Sequence, residues 1–152
     1  MSVEIKKASV ADAEEILLLQ KLAYRSEAEL CNNVHIEPLT QTLEQLQSQF
    51  DDHIFLKAVA DEIIVGSVRA SVHGETCCIG KLMVHPDYQN RGLGNMLMRT
   101  IEDTCPQLRY ELFTGNRSEK KLAIYRKLGY EAFREEVIAS GFMLIYLEKN
   151  KT

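Results

Sequence analysis

The residues best suited to bind a charged ligand lie in a short glycine-containing stretch in the second half of the chain. Residues 89–94 read Gln-Asn-Arg-Gly-Leu-Gly; the apolar run Ile79 to Val84 precedes them, and from Leu93 apolar residues recur at helical spacing. This pattern predicts a strand, a tight loop and a helix. The first N–H groups of a helix have no intrahelical partner and lie at the positive end of its dipole. Because Gly92 and Gly94 carry no Cβ, a ligand can approach that backbone closely, and the stretch predicts a phosphate or pyrophosphate site.

Two well-known phosphate-binding loops do not match this stretch. A dinucleotide-binding loop needs a third glycine where this chain has Leu97, and an NTPase loop needs Gly-Lys followed by Ser or Thr, whereas Gly94 is followed by Asn-Met. The order that remains is Val-x-Pro followed by Gln-x-x-Gly-x-Gly. It resembles the acetyl-CoA pyrophosphate loop of the GNAT superfamily of N-acetyltransferases. The alternative is a glycine turn that only joins a strand to a helix.

A second stretch, later in the chain, strengthens this resemblance. Asn116 precedes a segment in which residues 125–130 read Tyr-Arg-Lys-Leu-Gly-Tyr. This is similar to the second GNAT signature, in which an Asn precedes a helix that carries a Tyr and ends in Gly-aromatic. With both signatures in the right order, the sequence is identified as a member of that superfamily.

The elements that would position these residues follow from apolar alternation and helical periodicity. The predicted strands are Val3–Ala8, Ile54–Val59, Ile63–Val72, Thr76–Val84, Leu108–Thr114, Tyr130–Phe133 and Phe142–Leu147. The predicted helices end near Ser26, run from Thr40 through Phe50, begin at Leu93, and run from Asn116 through Leu128. This mixed α/β order matches neither a doubly wound sheet nor a barrel. It is similar to the GNAT fold, which implies a mostly antiparallel central sheet flanked by helices, in one domain over residues 1–152.

Capping and turn signals set the expected ends of these elements. Ser9 and Asp12 have capping-box spacing, Thr40 is the expected N-cap of the second helix, and Asn116 that of the last helix. We expect a loop or broken helix over 27–39 and a charged turn, Arg-Glu-Glu, at 134–136.

Composition excludes several classes of protein. The 152 residues are 45% hydrophobic and 26% charged, as in an ordinary globular domain, and no apolar run is long enough to span a membrane. A net charge of −4 gives no general attraction to nucleic acid. The four cysteines lack metal-site spacing, so we expect no metal and reduced thiols. Together with an N-terminus that lacks a signal peptide, this predicts a cytoplasmic location.

The resemblance implies an acetyl-CoA site at the glycine loop. Backbone N–H groups of the loop would hold the pyrophosphate, Gln89 and Arg91 would add side-chain contacts, and the strand before the loop would flank the pantetheine where two central strands splay apart. The expected cofactor-binding residues are Leu82, Met83, Val84, Gln89, Asn90, Arg91, Gly92, Leu93, Gly94, Asn95 and Asn116.

Acetyl transfer from a thioester to an amine needs a neutral amine, a donor for the carbonyl oxygen and a proton for the departing thiolate. The resemblance implies that Tyr125 supplies this proton, although packing against Leu122 and Leu128 on a buried helix face is an alternative role. Asn116 would contact the pantetheine arm as well as cap its helix.

The general base is not apparent from the pattern. Members of the superfamily often carry a carboxylate on the strand before the loop, but residues 77–81 read Cys-Cys-Ile-Gly-Lys. Glu111 on the following strand is the expected replacement, with Glu75 behind it, and a water chain is a further possibility. An ordinary ion pair is an equally good interpretation of Glu111, and His85 is interpreted as a loop residue.

We expect the acceptor site near the first two helices, where Tyr24, Glu27, Glu29 and Glu37 form an acidic, partly aromatic region that suits a cation. A solvated charged face explains the same residues. The predicted activity is N-acetyl transfer to a primary amine, a small cationic metabolite first and a protein lysine or N-terminus second. The rivals are a non-catalytic acyl-CoA-binding module and a nucleotide-binding protein. The last strand, Phe142–Leu147, is apolar enough to pair across a homodimer, but it could equally be an internal strand.

Overall fold

The computed structural model describes residues 2–31, 36–139 and 141–151; of these, the side chains of Glu27, Leu30, Cys31 and Ala139 lie outside the description. The strands are β1 (Glu4–Lys7), β2 (Ile54–Ala60), β3 (Ile63–His73), β4 (Thr76–Val84), β5 (Arg109–Gly115), β6 (Glu131–Ala139) and β7 (Phe142–Asn150). The helices are α1 (Ala13–Cys31), α2 (Glu37–Thr40), α3 (Leu43–Gln49), α4 (Leu93–Thr104) and α5 (Glu119–Lys127). The predicted element order is therefore confirmed, with the short helix α2 added.

The strands form one seven-stranded sheet in the order β1-β2-β3-β4-β5-β7-β6. All neighbouring strands are antiparallel except β4 and β5, which are parallel. Helices α1 and α3 pack on one face around Leu46, Phe55 and Met83. Helices α4 and α5 pack on the other face, which holds the larger cluster of buried residues.

The two central strands separate along their length. Pairing between β4 and β5 extends only over residues 76–78 and 109–111, so within the described residues the remainder of β4 has no strand partner on that side. On its other side, β4 contains a bulge: Lys81 and Leu82 together lie opposite the single residue Val68 of β3. The backbone of Lys81 there has φ 49°. The splay expected from the family resemblance is thus present, and it opens toward the glycine loop.

Two helix starts differ from the sequence prediction. Thr42, not Thr40, caps α3: its hydroxyl accepts a hydrogen bond from the N–H of Gln45 at 3.2 Å. Ser118, not Asn116, is the N-cap position of α5. In each case two residues two positions apart, Thr40 and Thr42 or Asn116 and Ser118, have side chains that could cap a helix. Only packing of the helix decides which of them is the N-cap.

The first helix and the last hairpin also differ. Helix α1 continues to Cys31, five residues beyond the predicted end at Ser26. The predicted charged turn at 134–136 lies inside β6, which continues to Ala139. Because β6 is the edge strand and β7 is internal, paired with β5 and β6, β7 has no free edge to pair across a dimer. The charged residues of β6 are exposed, as expected of an edge strand.

Candidate active site

A cleft of about 440 Å³ lies where β4 and β5 separate, between helix α1 on one side and the N-terminal ends of α4 and α5 on the other. Its lining includes nine of the predicted cofactor-binding residues: Leu82, Met83, Val84, Gln89, Asn90, Gly92, Leu93, Gly94 and Asn95. The other two, Arg91 and Asn116, are not among the lining residues. The cleft also includes residues from α1 and α5 that the sequence did not single out, notably Ser118.

The start of α4 forms the anion-binding end of this cleft. Gly92 is the N-cap, in the left-handed conformation with φ 82°, and no side chain caps the helix there. The first backbone bond of the helix runs from the N–H of Met96 to the carbonyl of Gly92. The preceding N–H groups therefore have no intrahelical acceptor and lie at the positive end of the dipole. This end of the cleft is suited to a phosphate or pyrophosphate.

Gly94 has a different role from the one expected. A Cβ on Gly94 would lie 3.0 Å from Cδ1 of Ile124. The absence of a side chain at this position thus lets α4 pack closely against α5, which brings both helices to the cleft. Gly92, by contrast, is needed for its left-handed backbone.

The residues before Gly92 hold the loop in place. The side-chain amide of Gln89 donates to the carbonyl of Val84 at 3.3 Å. Nδ1 of His85 accepts from the N–H of Asp87 at 3.0 Å, which confirms His85 as a loop residue. The guanidinium of Arg91 lies 5.2 Å from the ring centre of Tyr88.

The gap in the sheet forms the second part of the cleft. Beyond Cys78 the edge of β4 that faces β5 offers backbone groups that no strand uses. The side-chain oxygen of Asn95 is buried in the cleft wall and has no hydrogen-bond partner among the described residues. An extended ligand with amide groups could pair with the strand edge and donate to this oxygen.

Ser118, and not Asn116, occupies the position in the cleft that was expected of Asn116. The side-chain oxygen of Asn116 accepts from the N–H of Met143 at 3.0 Å, and the Asn116 N–H donates to the carbonyl of Met143 at 2.8 Å. Asn116 thus ties the end of β5 to β7. Ser118, two residues later, is 5% exposed and lines the cleft at the start of α5. Helix-cap spacing fits either residue, so the sequence alone did not identify Ser118.

Tyr125 is buried in the core rather than on the cleft surface. It is 4% exposed, its ring centre lies 6.0 Å from that of Tyr130, and the preceding residue, Ile124, lines the cleft. Tyr125 therefore lies behind the cleft surface, in the core, on the same helix as Ile124.

Glu111 lies at the closed end of the gap, in the last pair that β4 and β5 make. Its carboxylate is 2.7 Å from the Arg109 guanidinium, and it does not line the cleft. These contacts agree with the ion-pair interpretation of Glu111. Glu75 is exposed in the turn between β3 and β4, at the end of the sheet away from the loop.

The residues expected to attract a cationic acceptor are already near cations of the chain. The ammonium of Lys121 lies 4.1 Å from the ring centre of Tyr24 and 3.0 Å from its hydroxyl. The carboxylate of Glu37 lies 2.8 Å from the ammonium of Lys81. Glu29 is exposed on α1, and the side chain of Glu27 is outside the described residues.

Cys77 and Cys78 are not reactive thiolates. Cys77 and Cys105 are buried, and Cys78 lies on β4. Burial, with a hydrogen bond to Cys105, raises the pKa of Cys77 far above its usual range. Burial, followed by the charge of Glu111, raises the pKa of Cys78. Both thiols are therefore protonated at neutral pH and poor nucleophiles.

In the part of the chain that the structure describes, no three His, Cys, Asp or Glu side chains come together as a metal site. None of the helices in that part combines the length and apolar character needed to cross a membrane.

Comparison with known proteins agrees with this geometry. A family model described as "Acetyltransferase (GNAT) domain" matches residues 22–151. An acetyltransferase of Yersinia pestis (strain Pestoides F) is 34% identical over 100 residues, 62% of this chain and 68% of that protein. An acetyltransferase of Yersinia enterocolitica is 28% identical over 148 residues, 94% of this chain and 96% of that protein.

Solved structures share the fold at lower identity. The PaiA N-acetyltransferase of Thermoplasma acidophilum, in complex with coenzyme A, has a TM-score of 0.80 at 20% identity, covering 99% of this chain and 100% of that one. A putative acetyltransferase of Salmonella typhimurium with its cofactor acetyl-CoA has a TM-score of 0.77 at 15% identity, covering 99% and 94%.

The cleft fits acetyl-CoA by its own chemistry. The uncapped start of α4 suits the pyrophosphate, and the open edge of β4 with the unpartnered oxygen of Asn95 suits the amide groups of the pantetheine arm. The match to the family model covers most of the chain and includes both signatures. The chain therefore belongs to the GNAT family and is an acetyl-CoA-dependent acetyltransferase.

Proposed function

We propose that this protein transfers the acetyl group of acetyl-CoA to a primary amine by direct attack of the amine. The observation that carries the proposal is the continuity between the anion-binding start of α4 and the gap between β4 and β5, which form one cleft. A thioester held along this cleft would have its reactive end at the gap. An amine could reach that end from the face covered by α1 and α2.

Each step of this reaction has a candidate group in the chain. Bound acetyl-CoA supplies the acetyl group as an activated thioester. Backbone N–H groups on the free edge of β4 suit the oxygen that gains negative charge. Direct attack, without an acetylated cysteine, is supported by the raised pKa values of Cys77 and Cys78. Tyr125, on α5 behind the cleft surface, is the proposed donor of a proton to the departing thiolate.

The proton that leaves the amine is proposed to pass to water in the cleft. Among the candidate bases, Glu111 is held by Arg109 at the closed end of the gap and Glu75 is exposed in a distant turn. A water chain requires no carboxylate on β4, and residues 77–81 contain none.

The first experiment separates cofactor binding from transfer. Thermal melts are recorded with acetyl-CoA, CoA, ATP and NAD; a ligand at a hundredfold excess over its Kd adds about 2.7 kcal/mol. For a chain of this size, that raises the melting temperature by roughly 5–10 °C. We expect a shift with both CoA species and none with ATP or NAD.

The second experiment is free-thiol release from acetyl-CoA with a panel of primary amines. Release that depends on the amine, with a matching acetylated product, supports the proposal. A protein that binds acetyl-CoA but releases no thiol with any amine, peptide N-terminus or lysine peptide is instead a non-catalytic acyl-CoA-binding module.

A further inference from the structure

A cation occupies the open segment of β4, where relatives in the superfamily often place a carboxylate. Lys81 lies in the β4 bulge, next to Leu82 of the cleft wall. Its ammonium is 2.8 Å from the carboxylate of Glu37, and the Lys81 side chain is 17% exposed against 58% for Glu37. The lysine is thus held by the sheet, whereas its anionic partner is on the surface, on the four-residue helix α2.

A second cation lies behind Lys81. Arg69, on β3 opposite Gly80, is 2% exposed. Its two terminal nitrogens each donate at 2.7 Å to a neutral side-chain amide, one to Gln49 and one to Gln20. Its Nε is buried with no partner, and no carboxylate of the described residues forms a salt bridge with it.

Arg69 is cationic at neutral pH. Burial lowers the pKa of Arg69 to about 10, which the charges of Tyr24 and Glu37 partly oppose. Burial lowers the pKa of Lys81, the hydrogen bond to Glu37 opposes this, and the positive charge of Arg69 adds to the lowering. The 2.8 Å contact between Lys81 and the Glu37 carboxylate is that of an ion pair. Among the described residues, the exposed carboxylate of Glu37 is the nearby anionic counter-charge for these two groups.

These cations lie on the side from which an acceptor would approach the gap. Gln20, bonded to Arg69, is on α1, and Glu37 is on α2. The hydroxyl of Tyr24 lies 3.5 Å from the carbonyl of Leu82, the residue after Lys81. An acceptor that enters between these helices and β4 passes the Lys81–Glu37 pair, with Arg69 buried behind it. This disfavours a purely cationic acceptor and favours one that also carries an anionic group.

We propose that the acceptor is an amine that also carries a carboxylate, as an amino acid does, and that this carboxylate binds Lys81 in place of Glu37. The inference rests on the proposed function and names its substrate class. An exposed ion pair contributes little to stability, so exchange of one carboxylate for another is inexpensive. The bound carboxylate would point the amine away from Lys81 and toward the gap.

The test compares acceptors that differ only in charge: the common L-amino acids and their α-carboxamides. For each pair, kcat/KM is measured by thiol release, and binding to the CoA-loaded protein is measured by calorimetry. We expect at least one amino acid to be preferred over its carboxamide by roughly 10-fold or more, the size of a hydrogen bond to a charged group. Equal use of acid and amide would overturn the inference, as would preference for phosphoethanolamine over every amino acid.

Two substitutions at the same ion pair should act in opposite directions. Lys81→Met should raise KM for the preferred amino acid roughly 10- to 100-fold and leave its carboxamide almost unchanged. Glu37→Gln should lower KM for the amino acid, because the competing carboxylate is gone. If the ion pair only fixes α2, both variants should instead raise KM together, and that result would overturn the inference.

A matched control is the ion pair between Lys57 of β2 and Asp12, the residue before α1. Its atoms are 3.0 Å apart and the Lys57 side chain is 22% exposed, close to the values for Lys81. Lys57→Met should leave the preference for the acid unchanged, and melting temperatures show whether each variant is folded.

If the CoA-loaded protein binds amino acids through Lys81 without turnover, the proposed function fails and the carboxylate site stands. If acetyl transfer occurs but does not depend on Lys81, the proposed function stands and the carboxylate site is wrong.

Discussion

At the scale of single residues, Tyr125 is the group on which the proposed proton transfer depends. We expect Tyr125→Phe to lower kcat by roughly 100-fold, as for loss of a general acid, with little change in the Kd of CoA. The matched control is Tyr130→Phe. Tyr130 is also buried, but its hydroxyl donates to Glu102 at 2.8 Å, so its loss should lower the melting temperature and not kcat. Unchanged turnover in Tyr125→Phe would assign Tyr125 to packing alone.

Glu111 should matter little to the reaction. Its carboxylate is already paired with Arg109 and its side chain is 30% exposed, so Glu111→Gln should change the free energy of unfolding by less than about 1 kcal/mol. We expect kcat to stay within roughly threefold of the wild-type value, because a general base contributes 100-fold or more. A large loss of kcat that is recovered at high pH would identify Glu111 as the base after all.

At the scale of elements, Asn116 and Ser118 have separate roles: Asn116 ties β5 to β7, whereas Ser118 holds the helix-cap position and the place in the cleft that the sequence assigned to Asn116. Asn116→Ala removes the side-chain bond to Met143 and should lower the free energy of unfolding by about 1 kcal/mol. Ser118→Ala should weaken CoA binding, because Ser118 is the one that lines the cleft. Denaturant titration and CoA calorimetry on both variants check the division. Weaker CoA binding in Asn116→Ala alone would restore the original assignment.

The start of the fold contains a pH-dependent contact. Burial raises the pKa of Asp12, but hydrogen bonds from the Ser9 N–H and Lys57, with the charge of Lys57, lower it more, so the net shift is downward. A depressed folded-state pKa stabilises the fold above the unfolded pKa of about 3.9, and this stabilisation is lost as pH falls through the folded pKa.

We therefore expect Asp12→Asn to be less stable than wild type at pH 7, with the difference shrinking below about pH 4. Urea unfolding of both proteins at several pH values measures this difference in the free energy of unfolding. A stability difference that does not vary with pH would show that Asp12 acts without its charge.

Short sequence patterns predicted where helices and strands lie better than they predicted which residues come into contact in the fold. The left-handed residues Gly92 and Gly129 mark a helix start and a helix end, and both were read from the sequence. By contrast, Arg69 gives no local signal, because its amide partners on α1 and α3 come from 49 and 20 residues away along the chain. The charged residues at 134–136 suggested a turn because edge strands and turns are both polar. Only pairing with β7 shows that they are strand.

At the scale of the whole molecule, one buried carboxylate links the cofactor helix to the C-terminal strands. Glu102 of α4 is 5% exposed; it accepts a hydrogen bond from Tyr130 and lies 2.9 Å from the ammonium of Lys149. Burial, followed by the hydrogen bond to Glu102, raises the pKa of Tyr130 above its usual range, so the phenol remains a donor. These contacts fix α4, and with it the anion-binding loop, against the half of the sheet beyond the gap.

Glu102→Gln keeps the shape of this side chain but removes its charge. Breaking a buried ion pair on one side is strongly destabilising, and with one partner exposed to some extent we expect a loss of about 2–3 kcal/mol. This corresponds to a fall of roughly 5–10 °C in melting temperature. Asp103→Asn, the exposed neighbour on the same helix, should leave it unchanged. Saturating acetyl-CoA should raise the melting temperature of the variant most of the way to that of the unliganded wild type. Because the contact lies outside the cleft, the acceptor preference should not change. A changed preference would mean that α4 shifts relative to β4.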